Sequence, residues 1–169
     1  MKTETTKALE KLLLLKFDSR KDFFVFECTI GWYGDEIVDC INYTCNREIS
    51  CFEIKQSVSD FWSKNAVTFI GNKNYYVMPY GLYEKVKDEI PKEIGVYVAC
   101  TRKDHIETDS LGREWMGLKV YEGFDELYCI KAAKKRLLRA DKEIILSSML
   151  RCACRDRSRG SIFGYDTEG

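Results

Sequence analysis

The sequence predicts an α/β fold in which a mixed β-sheet is flanked by α-helices. An amphipathic helix opens the chain, three strand-like segments joined by turns follow it, and a strand, a helix and a further strand come next. Strands joined by short turns pair antiparallel, whereas a strand–helix–strand unit returns the chain in parallel through a right-handed crossover. We therefore expect both kinds of pairing in one sheet.

The first half of the chain supplies the first helix and the meander. Leucines recur at helical spacing from Thr5 to Phe17, with Thr3 or Thr5 as the cap. Apolar, β-branched and aromatic residues predict strands over 23–30, 36–41 and 50–57, and the polar run at 44–47 predicts a hairpin turn between the last two. Ser57 or Ser59 then caps a short helix that reaches about residue 65.

The second half continues the sheet and ends in basic residues. We expect a strand over 75–79, a helix over 83–90, a strand over 94–100 and a C-terminal helical extension over 124–154. One domain would span residues 1–150, and residues 151–169 would form a basic, flexible tail.

Composition excludes several classes of function. With 27 basic and 27 acidic residues the net charge is zero, so any attraction to nucleic acid must be local. No apolar run is long enough to cross a membrane and no signal-peptide core is present, which predicts a cytoplasmic protein without a membrane partner. The eight cysteines include no Cys-x-x-Cys pair, and we expect free thiols.

Charged residues occur in strands that otherwise read as buried on both faces. A hairpin centred near Asn46 pairs residues whose numbers sum to 92, so Asp39 lies across from Glu53, and Lys55 shares the face of Glu53. Two buried carboxylates repel each other unless a proton or a cation lies between them, and Mg²⁺ is commonly held by one or two carboxylates. The alternative is a structural ion pair between Asp39 and Lys55, with Glu53 bonded outward.

A longer string carries a resemblance to a known family. Asp39 is followed by Glu53-Ile54-Lys55-Gln56-Ser57-Val58-Ser59-Asp60-Phe61 and by a strand that ends at Pro79. This arrangement resembles the PD-(D/E)XK, or restriction-endonuclease-like, nuclease superfamily, and within it the MmcB-like branch of DNA-repair and phage proteins. The resemblance covers about residues 36–98. It implies a restriction-endonuclease-like fold and metal-dependent hydrolysis of nucleic acid, with DNA as the favoured substrate.

The same resemblance implies roles for individual residues. Asp39 and Glu53 would bind Mg²⁺ or Mn²⁺ with the carbonyl group of Ile54, and Lys55 would position the attacking water. Glu10 could approach the metal, although we favour a solvated surface charge. Gln56 could touch phosphate or metal-bound water.

Two further residues of the string have structural interpretations. Ser57 is a candidate helix cap. Asp60 either complements the helix dipole or holds Lys55 or Gln56 in place, and we leave both open.

Partner contacts are predicted elsewhere in the chain. Lys134, Lys135, Arg136 and Arg139 lie on one face of the expected C-terminal helix, where they contact a phosphate backbone or are simply solvated. Trp32 could stack on a base, but packing at the edge of the core is the favoured role. Cleavage of both strands of a duplex would need two sites and therefore suits a homodimer. The competing function is a non-cleaving protein that binds nucleic acid or recruits a partner.

Overall fold

The computed structural model describes residues 2–17, 20–32, 34, 36–63, 67–100, 106–108, 114–116, 124 and 126–158. The helices in these ranges are α1 (Glu4–Lys16), α2 (Val58–Phe61), α3 (Tyr80–Val86) and α4 (Lys142–Ser158). The strands are β1 (Asp22–Thr29), β2 (Ile37–Thr44), β3 (Ile49–Ile54), β4 (Lys73–Pro79), β5 (Gly95–Cys100), β6 (Ile106–Thr108), β7 (Glu114–Met116) and β8 (Glu126–Lys131).

Six strands form one mixed sheet in the order β1-β2-β3-β4-β5-β8. The first three strands pair antiparallel, β3, β4 and β5 run parallel, and β8 is antiparallel to β5. Helix α3 makes the crossover between the parallel strands β4 and β5. The predicted α/β fold, a mixed sheet flanked by helices, is confirmed.

The hairpin between β2 and β3 has the predicted register. Cys40 pairs with Phe52 and Ile41 with Cys51, so partner numbers sum to 92. The turn is closed by the amide of Thr44, which donates to the carbonyl oxygen of Glu48 at 3.0 Å. One further step along this register places Asp39 opposite Glu53.

Helices cover the two faces of the sheet. Leu9 and Leu13 of α1 are fully buried against a cluster that includes Phe52, whose ring stacks on Tyr75 with 5.4 Å between centroids. Burying each such side chain is worth about 1.5–3 kcal/mol. Helix α3 packs on β4 and β5, and α4 packs Ile145 and Met149 into the cluster beside β1. None of the described helices is long and apolar enough to cross a membrane.

The prediction of one helix over residues 124–154 is wrong. Residues 126–131 form β8, which pairs with the open edge of β5, and an irregular segment over 132–140 leads into α4. The alternation of Leu127 with its neighbours fits a strand, and pairing with an available sheet edge overrides a helical reading of the same apolar residues. Asp141 marks the true helix start, since its Oδ1 accepts from the amide of Glu143 at 2.8 Å.

The predicted tail boundary at residue 151 is also wrong, because α4 continues to Ser158. Cys152 is only 2% exposed and belongs to the cluster beside β1. Arg151 donates to the carbonyl oxygens of Thr29 at 2.8 Å and Gly31 at 2.6 Å. Arg151, the first basic residue of the run, therefore fixes the middle of α4 to the end of β1. The remainder of the predicted tail, from residue 159, lies outside the described residues.

Paired substitutions test the inclusion of residues 151–158 in the folded domain. Cys152→Asp should lower the free energy of unfolding by about 3 kcal/mol or more, because it places a carboxylate among apolar side chains. The exposed Cys154 is the matched control, and Cys154→Asp should change the same quantity by about 1 kcal/mol or less. Urea unfolding followed by circular dichroism measures both. Equal stabilities of the two variants would contradict the packing of α4.

Candidate active site at the end of β2 and β3

A cavity of about 530 Å³ opens at the end of β2 and β3 that lies away from the hairpin turn. Its walls come from the segment before α1, from α1 itself, and from the first three strands with the residues that follow them. The residues that line it are Lys2, Thr6, Glu10, Glu27, Ile37, Asp39, Glu53, Ile54, Lys55, Gln56, Asp60 and Thr68.

The structure brings Asp39, Glu53 and Lys55 together in this cavity. The ammonium group of Lys55 lies 3.1 Å from Oε1 of Glu53, and their side chains are 4% and 7% exposed. Asp39 accepts a hydrogen bond from the amide of Ile54 at 2.8 Å. Lys55 pairs with Glu53, so the alternative in which Lys55 bonds to Asp39 and Glu53 bonds outward is wrong.

Backbone hydrogen bonds fix this arrangement. The amide of Lys55 donates to the carbonyl oxygen of Val77 at 2.9 Å, which ties the end of β3 to β4. All six residues of β3 are buried. The buried strand β3 and the segment directly after it therefore carry Glu53 and Lys55 into the cavity.

Burial changes the protonation of both carboxyl groups. Burial raises the pKa of Glu53, and the facing charge of Asp39 raises it further, to about 7, against the opposing effect of Lys55. Burial also raises the pKa of Asp39, although the hydrogen bond from Ile54 opposes the shift. Near neutral pH Glu53 is therefore close to half protonated. Carboxyl groups with a pKa shifted in this way are common at functional sites.

Gln56, Ser57 and Asp60 shape the loop that leaves β3. Ser57 caps α2, as one prediction had it, by accepting from the amide of Asp60 at 3.1 Å. Asp60 lies in the first turn of α2, and its Oδ2 accepts from the amide of Gln56 at 3.0 Å. Asp60 therefore lies where it complements the dipole of α2, and it also holds the backbone of Gln56 in place. Gln56 and Asp60 line the cavity, whereas Ser57 does not. Helix α2 ends at Phe61, before the expected residue 65, which lies outside the described residues.

Glu10 lines the cavity, so the expectation of a simple surface charge is wrong. Its Oε1 accepts from the ammonium group of Lys2 at 2.6 Å, and the same group lies 3.2 Å from Oε1 of Glu27. Partial burial lowers the pKa of Lys2, but the bonds and charges of Glu10 and Glu27 outweigh it, and the net shift is upward. The packing of α1 on the sheet turns Glu10 inward.

The sequence interpretation missed Lys2 and Glu27. Glu27 lies in β1 between the pairs Phe26–Cys40 and Cys28–Val38, and is therefore level with Asp39. Its φ of 48° is in the left-handed region, which is unfavourable for a residue with a side chain and tends to occur at functional sites. No local signal in the sequence indicates this conformation. Lys2 precedes α1 and reaches the cavity only through tertiary packing.

The predicted nucleic-acid contacts lie at the opposite end of the sheet. Lys134, Arg136 and Arg139 donate their backbone amides to the carbonyl oxygens of Glu93, Asn72 and Ile70, which precede β5 and β4. The cavity is at the far end of β3, about 16 Å away at the rise of a strand.

The helical face predicted for these basic residues is wrong, since they lie on the irregular segment over 132–140. Lys135 pairs with Glu48, and the guanidinium of Arg136 bonds to the carbonyl oxygen of Phe69. These two side chains therefore already hold the segment to the body of the protein. A role for the four residues in binding nucleic acid stays a prediction, but it would apply to phosphates distant from the cavity.

The donor set of the cavity limits the metals that it could hold. Across the described part of the chain, no group of three or more histidine, cysteine, aspartate or glutamate side chains is placed to hold a metal ion. A pair of carboxylates on the wall of an open cavity fits Mg²⁺ or Mn²⁺, because these ions keep water ligands and substrate phosphates complete their coordination. Asp39 and Glu53 would provide the carboxylates, and Ile54 lines the same wall. All eight cysteines are present as thiols, as predicted.

Comparison with known proteins identifies a similar fold. No family model matches the chain, and no curated protein matches it. A solved structure of a protein of unknown function from Silicibacter pomeroyi is similar, with 14% sequence identity, a TM-score of 0.62 and coverage of 94% of each chain. At this identity the likeness concerns the fold alone.

The coupling of Asp39 and Glu53 predicts a pH-dependent stability. The pKa of Glu53 is raised to about 7 in the folded protein, whereas a glutamate exposed to water has a pKa of 4.5. The free energy of unfolding should therefore fall as the pH rises through that interval. Asp39→Asn keeps an acceptor for the amide of Ile54 and removes the repulsion, so it should reduce this fall by on the order of 1 kcal/mol.

Urea unfolding at a series of pH values between about 5 and 8 measures the effect. The exposed Asp88 offers a matched control, and Asp88→Asn should leave the slope of the wild-type protein unchanged. Identical slopes for the wild-type protein and Asp39→Asn would show that the two carboxyl groups are not coupled.

Proposed function

We propose that this protein is a metal-dependent nuclease that hydrolyses phosphodiester bonds of nucleic acid, with DNA as the favoured substrate, in the cytoplasm. The observation that carries the proposal is the buried Glu53–Lys55 pair beside Asp39 in a solvent-open cavity. The string over residues 53–61 supports membership of the PD-(D/E)XK superfamily, because Glu53, Lys55 and Asp60 of the string all line this cavity.

A structural role alone is a poor explanation for these charges. Replacing a buried ion pair by apolar side chains of similar volume is often neutral or stabilising. The neighbours of Glu53 in β3, Phe52 and Ile54, are apolar and buried, so the strand could complete its packing without a charged pair. Charges retained at a cavity are better explained by a reaction.

The chain's own groups suggest how the site would act. Asp39 and Glu53 would hold Mg²⁺ or Mn²⁺, which supplies a lowered pKa for bound water and neutralises charge on the phosphate. Lys55 has a donor-only ammonium group beside Glu53, and it would orient the water or stabilise negative charge on the phosphate oxygens. Asp60 holds the backbone of Gln56, whose side chain lines the same cavity.

Substitutions that keep side-chain size test the nuclease proposal. Asp39→Asn, Glu53→Gln and Lys55→Met should each reduce metal-dependent cleavage by about 100-fold or more, since each removes one charge of the site. The substrates are labelled single-stranded, duplex and branched DNA and RNA, with Mn²⁺ or with a chelator. Glu84→Ala, on the exposed surface of α3, should cleave like the wild-type protein.

Circular dichroism of each variant separates loss of activity from loss of fold. Wild-type rates in all three site variants would refute the proposal.

Lys2 should compete with a bound metal ion, because its ammonium group already neutralises Glu10 and Glu27 in the cavity. Lys2→Met should tighten Mn²⁺ binding about fivefold, which corresponds to about 1 kcal/mol of lost repulsion. Isothermal titration calorimetry measures the affinity without any substrate. Lys85→Met on α3 makes the same charge change at an exposed position away from the cavity and should have no effect. Weaker binding by Lys2→Met would contradict this role.

A non-cleaving function remains the second candidate, and one observation favours it. Both ammonium groups of the cavity, those of Lys2 and Lys55, are already paired with carboxylates. A site whose positive and negative charges already neutralise one another could serve to bind nucleic acid or a partner protein without cleavage. Tight binding of nucleic acid by the wild-type protein, with no cleavage of any substrate in Mn²⁺, would identify this function.

A further inference from the structure

The connection between β1 and β2 carries an exposed aromatic side chain at the end of the sheet where the cavity opens. The last pair of these strands joins Thr29 to Ile37, and Ile37 lines the cavity. Beyond this pair, the amide of Ile30 donates to the carbonyl oxygen of Glu36 at 3.0 Å. Trp32 follows two residues later, so it projects from the end of the sheet that holds Asp39 and Glu53.

Trp32 is 79% exposed, which contradicts the expectation that it packs at the edge of the core. A tryptophan contributes a large apolar surface, and burying it would stabilise the fold. Its indole instead lies in solvent, with the guanidinium of Arg151 against its ring. Exposure of this size, at the end of the sheet that carries a candidate site, indicates a contact surface for a ligand.

The backbone that carries Trp32 is held in place by α4. The amide of Gly31 donates to Oγ of the buried Ser148 at 2.9 Å, and Arg151 donates to the carbonyl oxygens of Thr29 and Gly31. The guanidinium carbon of Arg151 lies 5.0 Å from the centre of the Trp32 ring, within the range of a cation–π contact. The exposed ring is therefore presented from a fixed backbone and has a cation beside it.

We propose that Trp32 and Arg151 form a binding site for an unpaired nucleobase and the phosphate next to it. Aromatic side chains bind single strands by stacking on bases, and a neighbouring arginine adds charge attraction to the backbone. A base inside a duplex has both faces covered by its neighbours, so this site selects single-stranded or locally opened nucleic acid. The inference rests on the proposed action on nucleic acid and specifies the class of substrate.

Binding to a fluorescein-labelled oligothymidine, followed by anisotropy in the presence of EDTA, tests the site without cleavage. Trp32→Ala should weaken binding about tenfold, within the range that stacking of one base supplies, and should leave binding to a blunt duplex unchanged. Trp32→Phe should restore most of the affinity, because it keeps an aromatic face. An abasic oligomer of the same length should bind the wild-type protein and Trp32→Ala equally.

Phe23→Ala provides the matched control. Phe23 is also an exposed aromatic residue, at 57%, but it lies near the opposite end of β1, where Asp22 pairs with Thr44. Its substitution should leave the affinity for oligothymidine unchanged. Equal affinities of the wild-type protein and Trp32→Ala, or an equal loss for duplex and single strand, would overturn the proposal.

The outcomes also distinguish this inference from the nuclease proposal. If Asp39→Asn abolishes cleavage but Trp32→Ala binds like the wild-type protein, the nuclease stands and the base-binding site is refuted. If no substrate is cleaved while the Trp32-dependent preference for single strands is present, the base-binding site stands and the nuclease is refuted. A wild-type protein that binds no nucleic acid would overturn the base-binding site.

Discussion

The ammonium group of Lys55 and the carboxylate of Glu53 lie 3.1 Å apart, with less than a tenth of either side chain exposed. Charges in such a position are costly to bury, and each is tolerated only while its partner and the surrounding hydrogen bonds stay in place. The register of β2 against β3, the tie from Lys55 to Val77 and the bond from Ile54 to Asp39 meet this requirement. The pairing of β2 with β3, and of the end of β3 with β4, thus sets the geometry of the cavity.

The two ends of the sheet have different structural roles. At one end, β1, β2 and β3 place Glu27, Asp39 and Glu53 level with one another around the cavity. At the other end, the irregular segment over 132–140 uses its backbone amides to close the sheet before α4 begins. A basic run in the sequence belongs to this closing segment. Basic composition alone therefore did not indicate which surface lies near the site.

Features that depend on residues close together in the sequence could be predicted, whereas features that depend on contacts between distant segments could not. A turn near Asn46 and the alternation of side chains along strands are local properties, and they were sufficient to place Asp39 opposite Glu53 and Lys55 beside it. The helix expected over 124–154 failed because the free edge of β5, distant in sequence, selects a strand for residues 126–131. Lys2 and Glu27 reach the cavity through the docking of α1 and through a left-handed residue in β1, neither of which has a local signature. The position of Trp32 likewise depends on how α4 packs against the end of β1.

We propose that Asp39 and Glu53 hold one divalent cation between them. X-ray diffraction from crystals soaked in Mn²⁺, recorded at the manganese absorption edge, tests it most directly. We expect one anomalous peak about 2.1 Å from a carboxylate oxygen of Asp39 and from one of Glu53, a distance typical of hard divalent ions. A cavity without a peak, or a peak held by neither Asp39 nor Glu53, would contradict it.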